Sequence, residues 1–349
     1  MAIDVTVRGA GIFGLGCAWA MARRGARVRV VDPQGVGAGA SGGVVGALAP
    51  HVPETWNEKK AFQLDSLLMA EDWWAAIAEI GGGDPGYARS GRLQPIPDAA
   101  ALARAEGRAQ HAMTLWPDRV TWRVIPAPQG WAPPSPTGRV IHDTLSARLH
   151  PARACAALAA ALRALGTEIV PEGADAGPVL HATGWRGLAE IGDAKDRPAG
   201  TGVKGQAALL ALDRRDAPQL YVDGLHIVPH ADGTTAIGST SERAFDAPDT
   251  TDAQLDELLV RARAAVPDLA EPPLLARWAG VRPRARSRAP LLGPWPGRPG
   301  HFIANGGFKI GFGMAPKVAE TMAALILDGR DAIPEAFSTA TLAPAPAPD

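Results

Sequence analysis

Residues 5–32 constrain the fold of this chain more than any other stretch. A β-branched run at Val5 to Val7 leads into the glycine-rich segment Gly9 to Gly14. An alanine-rich helical run follows as far as Gly25, and a second strand ends at Asp32. A strand, three spaced glycines, a helix, a second strand and a terminal acid in this order form the dinucleotide-binding fingerprint.

The residues of this motif have separate tasks. Gly9 allows the tight turn, Gly11 lets a pyrophosphate approach the backbone, and Gly14 lets the helix pack on the strand. The unpaired N–H groups and the dipole of the helix N-terminus favour an anion there. Asp32 can accept hydrogen bonds from both ribose hydroxyls and would repel a 2′-phosphate, which favours FAD or NAD over NADP. Arg8 replaces an apolar strand residue, so it either turns toward the ligand or reaches a solvated strand end.

Composition limits the partners and the compartment. A chain of 349 residues that is 46% hydrophobic can bury a core large enough for two lobes. A net charge of -1 provides no general attraction for nucleic acid or an anionic membrane. No apolar run approaches the ~20 residues of a membrane span. Cys17 and Cys155 both fall in helical runs, and no signal peptide precedes the first strand, so we expect a reducing cytoplasm.

The remaining chain alternates helical and strand-like segments. A second glycine-rich loop extends from Pro33 to Gly46 and is either backbone lying against an extended ligand or a mobile surface loop; Ser41 within it could donate to a phosphate oxygen. Predicted helices cover residues 59–80, 99–112, 151–165, 251–266 and 315–327. Predicted strands cover residues 92–96, 120–125, 139–142, 168–170, 178–181, 203–212, 219–239 and 301–304. Two strand ends lead into Ala182-Thr183-Gly184 and the glycine-rich segment Asn305 to Gly313.

These motifs together carry a family resemblance. The chain resembles the D-amino-acid-oxidase-like FAD-dependent amine oxidoreductases, especially glycine oxidases and sarcosine oxidases. The resemblance extends from Val5 to about Gly329, through Gly39-Ala40-Ser41, Ala182-Thr183-Gly184, Gly280-Val281-Arg282-Pro283 and the closing glycine-rich loop. It implies an α/β fold with a discontinuous, Rossmann-like FAD-binding domain and a β-sheet-rich α+β substrate domain whose sheet covers the flavin. We assign residues 1–85, 143–202 and 278–335 to the first domain, residues 86–142 and 203–277 to the second, and residues 343–349 to a disordered tail.

Four residues are candidates for the chemistry. A planar guanidinium can bind a carboxylate through two parallel bonds, and Arg282 matches the family's carboxylate-binding arginine by position. It could instead be a surface arginine or part of a phosphate or RNA contact. Lys309 resembles the lysine that sarcosine oxidases place above the flavin, or it is a loop lysine in solvent. His226 stands where relatives tend to have tyrosine, as a donor or as a plain sheet histidine, and His51 could face the flavin ring.

The glycine-rich segments and the resemblance also assign the cofactor contacts. These are Gly9, Gly11, Ile12, Phe13, Gly14, Asp32, Ser41, Gly42, Thr183, Gly184, Gly280, Arg282, Gly306, Gly307, Phe308, Lys309 and Ile310. The C-terminal half contains no cysteine for covalent attachment, so we predict that FAD binds non-covalently. We predict no metal site. The segment between Val170 and Pro178 is shorter than in relatives, which leaves the adenine contacts open.

The expected reaction is oxidation of the C–N bond of a small amino acid or N-alkyl glycine. Hydride would pass from Cα to the flavin, and water would hydrolyse the resulting imine. The partner is then a small-molecule amine or amino acid, with no membrane span and with nucleic acid disfavoured; the oligomeric state stays open. The alternatives are removal of a carboxymethylamino group from a tRNA base, a dehydrogenase that uses an acceptor other than O2, and a non-catalytic flavin-binding protein.

Overall fold

The computed structural model describes residues 2–192 and 197–342 of the chain, so the predicted tail at 343–349 lies outside the described residues. The strands, numbered in chain order, are β1 (Val5–Arg8), β2 (Val28–Val31), β3 (Ala47–Leu48), β4 (Arg92–Pro95), β5 (Trp122–Pro126), β6 (Arg139–Asp143), β7 (Ala147–Arg148), β8 (Glu168–Val170), β9 (Val179–His181), β10 (Gly200–Leu210), β11 (Gln219–Val222), β12 (Leu225–Pro229), β13 (Thr235–Gly238), β14 (Leu274–Ala285), β15 (Leu291–Pro294) and β16 (His301–Asn305). The helices are α1 (Ile12–Ala22), α2 (Glu58–Gly81), α3 (Ala99–Leu115), α4 (Pro151–Ala164), α5 (Gly184–Glu190), α6 (Ala253–Ala265) and α7 (Gly311–Asp328).

The first sheet contains six strands in the order β15-β16-β9-β1-β2-β8. Its strands from β16 to β8 are parallel, and β15 pairs antiparallel with β16 at the edge. If the five parallel strands are numbered 1 to 5 along the chain (β1, β2, β8, β9 and β16), their order across the sheet is 3-2-1-4-5. This is the strand order of a dinucleotide-binding fold. The predicted Rossmann-like sheet is therefore confirmed.

Helix α1 packs tightly on this sheet because its residues are small or apolar where they face it. Every residue from Ile12 to Met21 is buried. A Cβ built on Gly14 would lie 1.9 Å from the carbonyl oxygen of Gly9, so only glycine allows the helix to approach the turn after β1. This geometry agrees with the packing role predicted for Gly14. Helix α7 and helix α4 pack against α1 and enlarge the same core.

The second sheet contains eight strands in the order β14-β10-β13-β12-β11-β4-β6-β5. All neighbouring strands are antiparallel except β11 and β4, which are parallel. The long strands β10 and β14 pair from Gly200 with Ala285 to Leu210 with Leu274. Helix α6 covers part of the sheet with Leu255, Leu258 and Leu259, which belong to a separate hydrophobic core. A third, two-stranded sheet joins β3 to β7.

Sequence-based boundaries differ from the elements of the structure in two respects. The predicted domain limits at 202/203 and 277/278 fall inside β10 and β14, so Gly280 and Arg282 lie on a strand of the second sheet. The division into domains itself stays a prediction. Helix α7 begins at Gly311, four residues before the predicted Ala315. The prediction began too late because the first turn contains two glycines, which are typical of a loop. Among the described residues, no helix is long and apolar enough to cross a membrane.

Candidate active site

A cavity of about 530 Å³ lies between the first sheet and the second. It falls within the size range of sites that bind small molecules and cofactors. The predicted site residues on its wall are Gly9, Gly11, Ile12, Phe13, Asp32, Ser41, Thr183, Gly184, His226, Arg282, Gly307, Phe308 and Lys309. Residues that are far apart in the sequence thus contribute to one continuous space.

One end of the cavity is formed by the turn after β1 and by Asp32. Gly9 has a φ of +110°, and a Cβ there would lie 2.3 Å from the carbonyl oxygen of Ala182, so the turn requires glycine. The Asp32 carboxylate accepts hydrogen bonds from the backbone N–H of Ala10 at 2.7 Å and of Gln34 at 2.9 Å. These two bonds hold the carboxylate on the cavity wall, where it could accept the hydrogen bonds predicted from the ribose hydroxyls.

The second glycine-rich loop contributes Ser41 to the same end. The Oγ of Ser41 accepts a hydrogen bond from the N–H of Ile12 at 3.1 Å, at the first turn of α1. No acceptor for the hydroxyl hydrogen is found among the described residues, and its donation to a phosphate oxygen stays a prediction. Gly37 and Gly42 are close to one another, since a Cβ on Gly42 would lie 2.3 Å from the Gly37 carbonyl oxygen. Gly39, Ala40, Ser41 and Gly43 of this loop line the cavity.

The turn after β9 and the loop after β16 are tied together. The Asn305 side chain donates from Nδ2 to the carbonyl oxygen of Gly184 at 2.9 Å and accepts at Oδ1 from the N–H of Gly306 at 2.8 Å. A Cβ on Gly307 would lie 2.9 Å from the ring of Phe13, which brings the closing loop to the start of α1. The three glycine-containing turns of the first sheet thus meet on one side of the cavity.

This arrangement fits FAD. The N-terminal first turns of α1 and α7 both lie on the cavity wall, and the N-cap residues Gly11 and Ile310 make no side-chain capping bond, although Ser41 Oγ accepts a hydrogen bond from the N–H of Ile12. Their free N–H groups and dipoles favour negative charge at two places along the cavity. Asp32 lines the cavity directly after β2 of the first sheet, and the cationic Arg282, described next, lines it from β14 of the second sheet. An elongated cofactor with a ribose, a pyrophosphate and an electron-accepting ring matches this order.

Arg282 is buried at the end of the cavity covered by the second sheet, with 9% of its surface exposed. Its Nη1 donates to the carbonyl oxygen of Thr240 at 3.3 Å, and its Nη2 donates to Ser239 Oγ. Burial lowers the pKa of the guanidinium to about 10, and the negative charge of Glu242 partly opposes this effect. Within the described chain no carboxylate forms an ion pair with Arg282. The residue is therefore a buried cation with donors to spare, not a surface arginine.

Lys309 is held close to Arg282 by the backbone of its loop. The N–H of Phe308 donates to the carbonyl oxygen of Pro283 at 3.0 Å, which attaches the loop after β16 to the end of β14. Phe308 itself has a φ of +43°, unusual for a residue with a side chain. Burial lowers the pKa of Lys309, and the nearby charge of Arg282 adds to the effect. Two mutually repelling cations held together in a cavity favour an anionic ligand.

His226 lies on the same wall, next to Tyr221. Their rings are 4.8 Å apart, and the Nδ1 atom of His226 is buried without a hydrogen-bond partner among the described residues. Burial lowers the pKa of His226 to about 3, with further contributions from Arg92, Lys309 and Arg282. The imidazole is therefore neutral at physiological pH.

The structure places six predicted site residues away from the cavity wall. His51 bonds through both its backbone N–H and its Nδ1 to Gln63 Oε1, so its position does not support the hypothesis that it faces the flavin ring. The others are Gly14, Gly42, Gly280, Gly306 and Ile310. The glycines among them allow close packing: a Cβ on Gly280, for example, would lie 2.5 Å from the indole of Trp278. Sequence spacing does not distinguish a glycine that packs from one that contacts a ligand.

Other wall residues have no signal in the sequence. Tyr221, Ser239 and Trp278 all reach the cavity from strands of the second sheet or directly after one. Along each strand, alternate residues share a face of the sheet. Which of the two faces points toward the cavity depends on how the second sheet packs against the first, and the sequence does not show this packing.

Arg8 takes up both of the positions left open by its sequence. Its guanidinium bonds Asp175 at 2.7 Å and the carbonyl oxygen of Gly173 at 3.3 Å, and the residue also lies on the cavity wall. Arg29 contacts the same segment through the carbonyl oxygen of Ala174 at 3.4 Å. The short segment between β8 and β9 is thus held by two arginines at the Asp32 end of the cavity.

The cysteines lie outside the site. Cys17 and Cys155 are both buried, unpaired and absent from the cavity wall. Burial raises the pKa of Cys155 to about 12, and it raises the pKa of Cys17 as well. Neither thiol is placed to attach a flavin. In the described ranges, no group of three or more His, Cys, Asp and Glu side chains is arranged to hold a metal ion.

Comparisons with known proteins identify the family of the chain. The family model for FAD dependent oxidoreductases matches residues 4–325. The chain is 26% identical to the glycine oxidase of Bacillus licheniformis, over 93% of each protein. Its fold is similar to that of glycine oxidase from Geobacillus kaustophilus, with a TM-score of 0.79, 20% identity and 99% of each chain covered. It is also similar to iminodiacetate oxidase from Chelativorans sp. BNC1, with a TM-score of 0.83, 22% identity and coverage of 96% and 98%. The chain, which joins a glycine-turn dinucleotide site to a buried cationic pocket, belongs to the family of FAD-dependent oxidoreductases related to D-amino acid oxidase.

Proposed function

We propose that this enzyme oxidises the C–N bond of a small amino acid or N-alkyl glycine. The observation that carries the proposal is the pair of cations Arg282, which is buried, and Lys309, which is exposed on the cavity wall; neither has a carboxylate partner among the described residues. The remaining donors of Arg282 would bind the substrate carboxylate in the two-pronged manner that guanidinium favours. Lys309 would contribute a second positive charge from the opposite loop.

The neutral His226 would accept or donate one hydrogen bond at the substrate amine or carboxylate from its ring on the cavity wall. A histidine that is not protonated does not repel an amine, so the substrate can bind with its nitrogen lone pair available. Tyr221 and Trp278 restrict the space around these groups, which favours a small side chain. Each of these residues would bind the substrate, orient it or exclude water from it.

FAD would be held by the residues at the other end of the cavity. Gly9, Gly11 and the first turn of α1 would bind the pyrophosphate, Asp32 the ribose, and the first turn of α7 the anionic edge of the ring system. When bound, FAD supplies the acceptor for the hydrogen and the electron pair that leave the substrate α-carbon. The absence of a cysteine on the described cavity wall supports non-covalent binding.

Relatives support the substrate class. The similar proteins named above are oxidases of glycine and of iminodiacetate, an amino acid and an N-alkyl glycine with free carboxylates. We favour O2 as the oxidant by analogy with them. The tRNA alternative receives less support, because Arg282 is buried and Arg277 pairs with Asp256, which removes two of the five arginines of this stretch from a basic surface.

Anaerobic mixing with a panel of amines tests the proposal. We expect the flavin absorbance to bleach with one or more of glycine, sarcosine, iminodiacetate and small D-amino acids. Admission of air should restore the absorbance for an oxidase, whereas a dehydrogenase would require an added artificial acceptor. Bound FAD that no carboxylate-bearing amine reduces would contradict the proposal and would favour a tRNA substrate or a non-catalytic flavoprotein.

A further inference from the structure

The guanidinium of Arg282 lies directly over the backbone of Gly205. On the paired strands β10 and β14, Val203 is opposite Arg282 and Gly205 is opposite Gly280. Residues two apart on a strand share a face of the sheet, so Gly205 lies on the same face as Arg282. A Cβ built on Gly205 would lie 1.8 Å from Nη2 and 2.2 Å from Cζ of Arg282. The guanidinium therefore occupies the space of the side chain that Gly205 lacks.

Beyond β10, the guanidinium reaches the segment Ser239–Glu242. Ser239 Oγ and the Thr240 carbonyl oxygen accept its two hydrogen bonds. The segment continues beside β10, because Lys204 and Glu242 exchange backbone N–H···O bonds of 2.9 Å in both directions. The backbone of Arg282 is on β14, on one side of β10. Its side chain crosses over β10 at Gly205, and its guanidinium bonds the segment on the other side of β10.

A polar network fixes this segment in place. Gln206 donates from its side-chain amide to Glu242 Oε1 at 3.0 Å and to Asp252 at 2.8 Å, and its backbone N–H donates to Thr240 Oγ1 at 2.8 Å. The Lys204 ammonium lies 3.5 Å from the Glu242 carboxylate. Lys204, Gln206 and Glu242 are all less than 10% exposed. Buried networks with satisfied partners resist displacement, so the acceptors for Arg282 have a fixed position.

We propose that Gly205 and the Ser239–Glu242 segment are the positioning elements of Arg282 and thereby determine the affinity of the site for a carboxylate. The inference rests on the proposed function, in which Arg282 binds the substrate carboxylate. Gly205 provides the room for the guanidinium, and Ser239 and Thr240 direct its plane. Two of its donor groups are used in the sheet, and the rest remain for the ligand.

The main test is Gly205→Ala. The atoms in the way of the new methyl group belong to the end of a flexible side chain, so the sheet can keep its fold while the guanidinium moves. We expect the variant to retain FAD and to bind acetate, followed by the change in flavin absorbance, with an apparent Kd raised about tenfold or more. KM for the amine substrate should rise similarly. Gly107→Ala is the matched control, because a Cβ at Gly107 in α3 meets no atom within 4 Å.

A double-mutant cycle separates positioning from a general disturbance. If Gly205 acts through the guanidinium, Gly205→Ala should cause no further loss of acetate affinity in the Arg282→Ala background. A loss that adds to that of Arg282→Ala would show a general distortion of the sheet and would overturn the inference. Ser239→Ala, which removes one acceptor without adding an atom, should raise the acetate Kd several-fold and decides the question if Gly205→Ala does not fold.

The outcomes distinguish this inference from the proposed function. Wild-type acetate affinity in both Gly205→Ala and Ser239→Ala, combined with weak binding in Arg282→Ala, would refute the positioning role and leave Arg282 as the carboxylate site. Wild-type acetate affinity in Arg282→Ala would remove Arg282 from the binding site, and the proposed function would lose its main support.

Discussion

The two ends of the cavity are built in different ways. At the dinucleotide end, Gly9, Gly11, the first turn of α1 and Asp32 come from one stretch of 28 residues, Val5 to Asp32. At the substrate end, His226, Ser239, Arg282 and Lys309 come from β12, the segment after β13, β14 and the loop before α7. The first end is built around a local structure that one stretch of chain forms, to which other segments add single contacts such as Ser41. The second exists only after three strands of one sheet have met a loop of the other.

The two ends also differ in how they provide charge. The dinucleotide end presents backbone N–H groups and a helix dipole, with Asp32 as its carboxylate. The substrate end presents the charged side chains of Arg282 and Lys309. Substitutions that change the backbone should therefore damage the first end most, and substitutions that remove a side chain should damage the second.

The largest effect is expected from Gly14→Ala. The added methyl group would lie 1.9 Å from the Gly9 carbonyl oxygen, so α1 must move away from β1 and the cavity must change shape. We expect destabilisation by about 3 kcal/mol or more and loss of bound FAD, measured by chemical unfolding and by flavin absorbance. The same change at Gly107, in an open position of α3, should be neutral or stabilise by up to about 1 kcal/mol. Equal effects at the two sites would contradict the close approach of α1.

The second effect, at the substrate end, is expected from Arg282→Ala. The loss of a charge-assisted, two-pronged interaction should raise the apparent Kd for acetate about a hundredfold while FAD stays bound. Arg277→Ala is the matched control on the same strand, because Arg277 is exposed and pairs with Asp256. Titration of the flavin spectrum measures both variants. If FAD were lost together with the carboxylate, the two ends would not be separable in the way described here.

A smaller effect is expected from Asp32→Asn at the dinucleotide end. The amide has one accepting oxygen where the carboxylate has two, so it cannot accept from Ala10, Gln34 and a ribose hydroxyl equally well. We expect FAD affinity to fall about tenfold, measured by equilibrium binding to the apoprotein, with little change in acetate affinity of the reloaded enzyme. Asp4→Asn, at an exposed ion pair with Arg27, is the control. Unchanged FAD affinity in Asp32→Asn would exclude the proposed ribose contact.

The smallest effect concerns pH. Burial and the charge of Arg282 lower the pKa of Lys309, and carboxylate binding needs its protonated form. Acetate affinity should therefore be constant near neutrality and fall as the pH rises through a value below the ordinary ~10.4 of lysine. Lys309→Met should bind acetate more weakly, and its affinity should stay constant to a higher pH, until Arg282, with a pKa of about 10, loses its proton. His226, with a pKa of about 3, should cause no step near pH 6.5, so a step there that His226→Asn abolishes would contradict its neutral state.

The sequence predicted the first sheet and its turns well because their signals are local. Strand β8 matches its predicted limits of Glu168 to Val170, and the glycines after β1 occupy the turn they were expected to form. Arg282 and Lys309 were identified by resemblance, and the structure brings both to the cavity. His51 does not line the cavity and bonds Gln63 instead. The sequence could not show this, because a histidine after a glycine-rich loop looks the same whether it faces a ligand or another side chain.

By itself, the sequence determined that residues 5–32 form a strand, a turn, a helix and a strand that can hold a dinucleotide, since glycine conformations and hydrophobic periodicity act over a few residues. Only the tertiary structure decided that Gly205, which no motif marks, lies under the guanidinium of Arg282 and that Ser239 receives it. The physical reason is that strand register and the packing of the two sheets decide which distant side chains meet. No interaction between neighbours in the sequence encodes that choice.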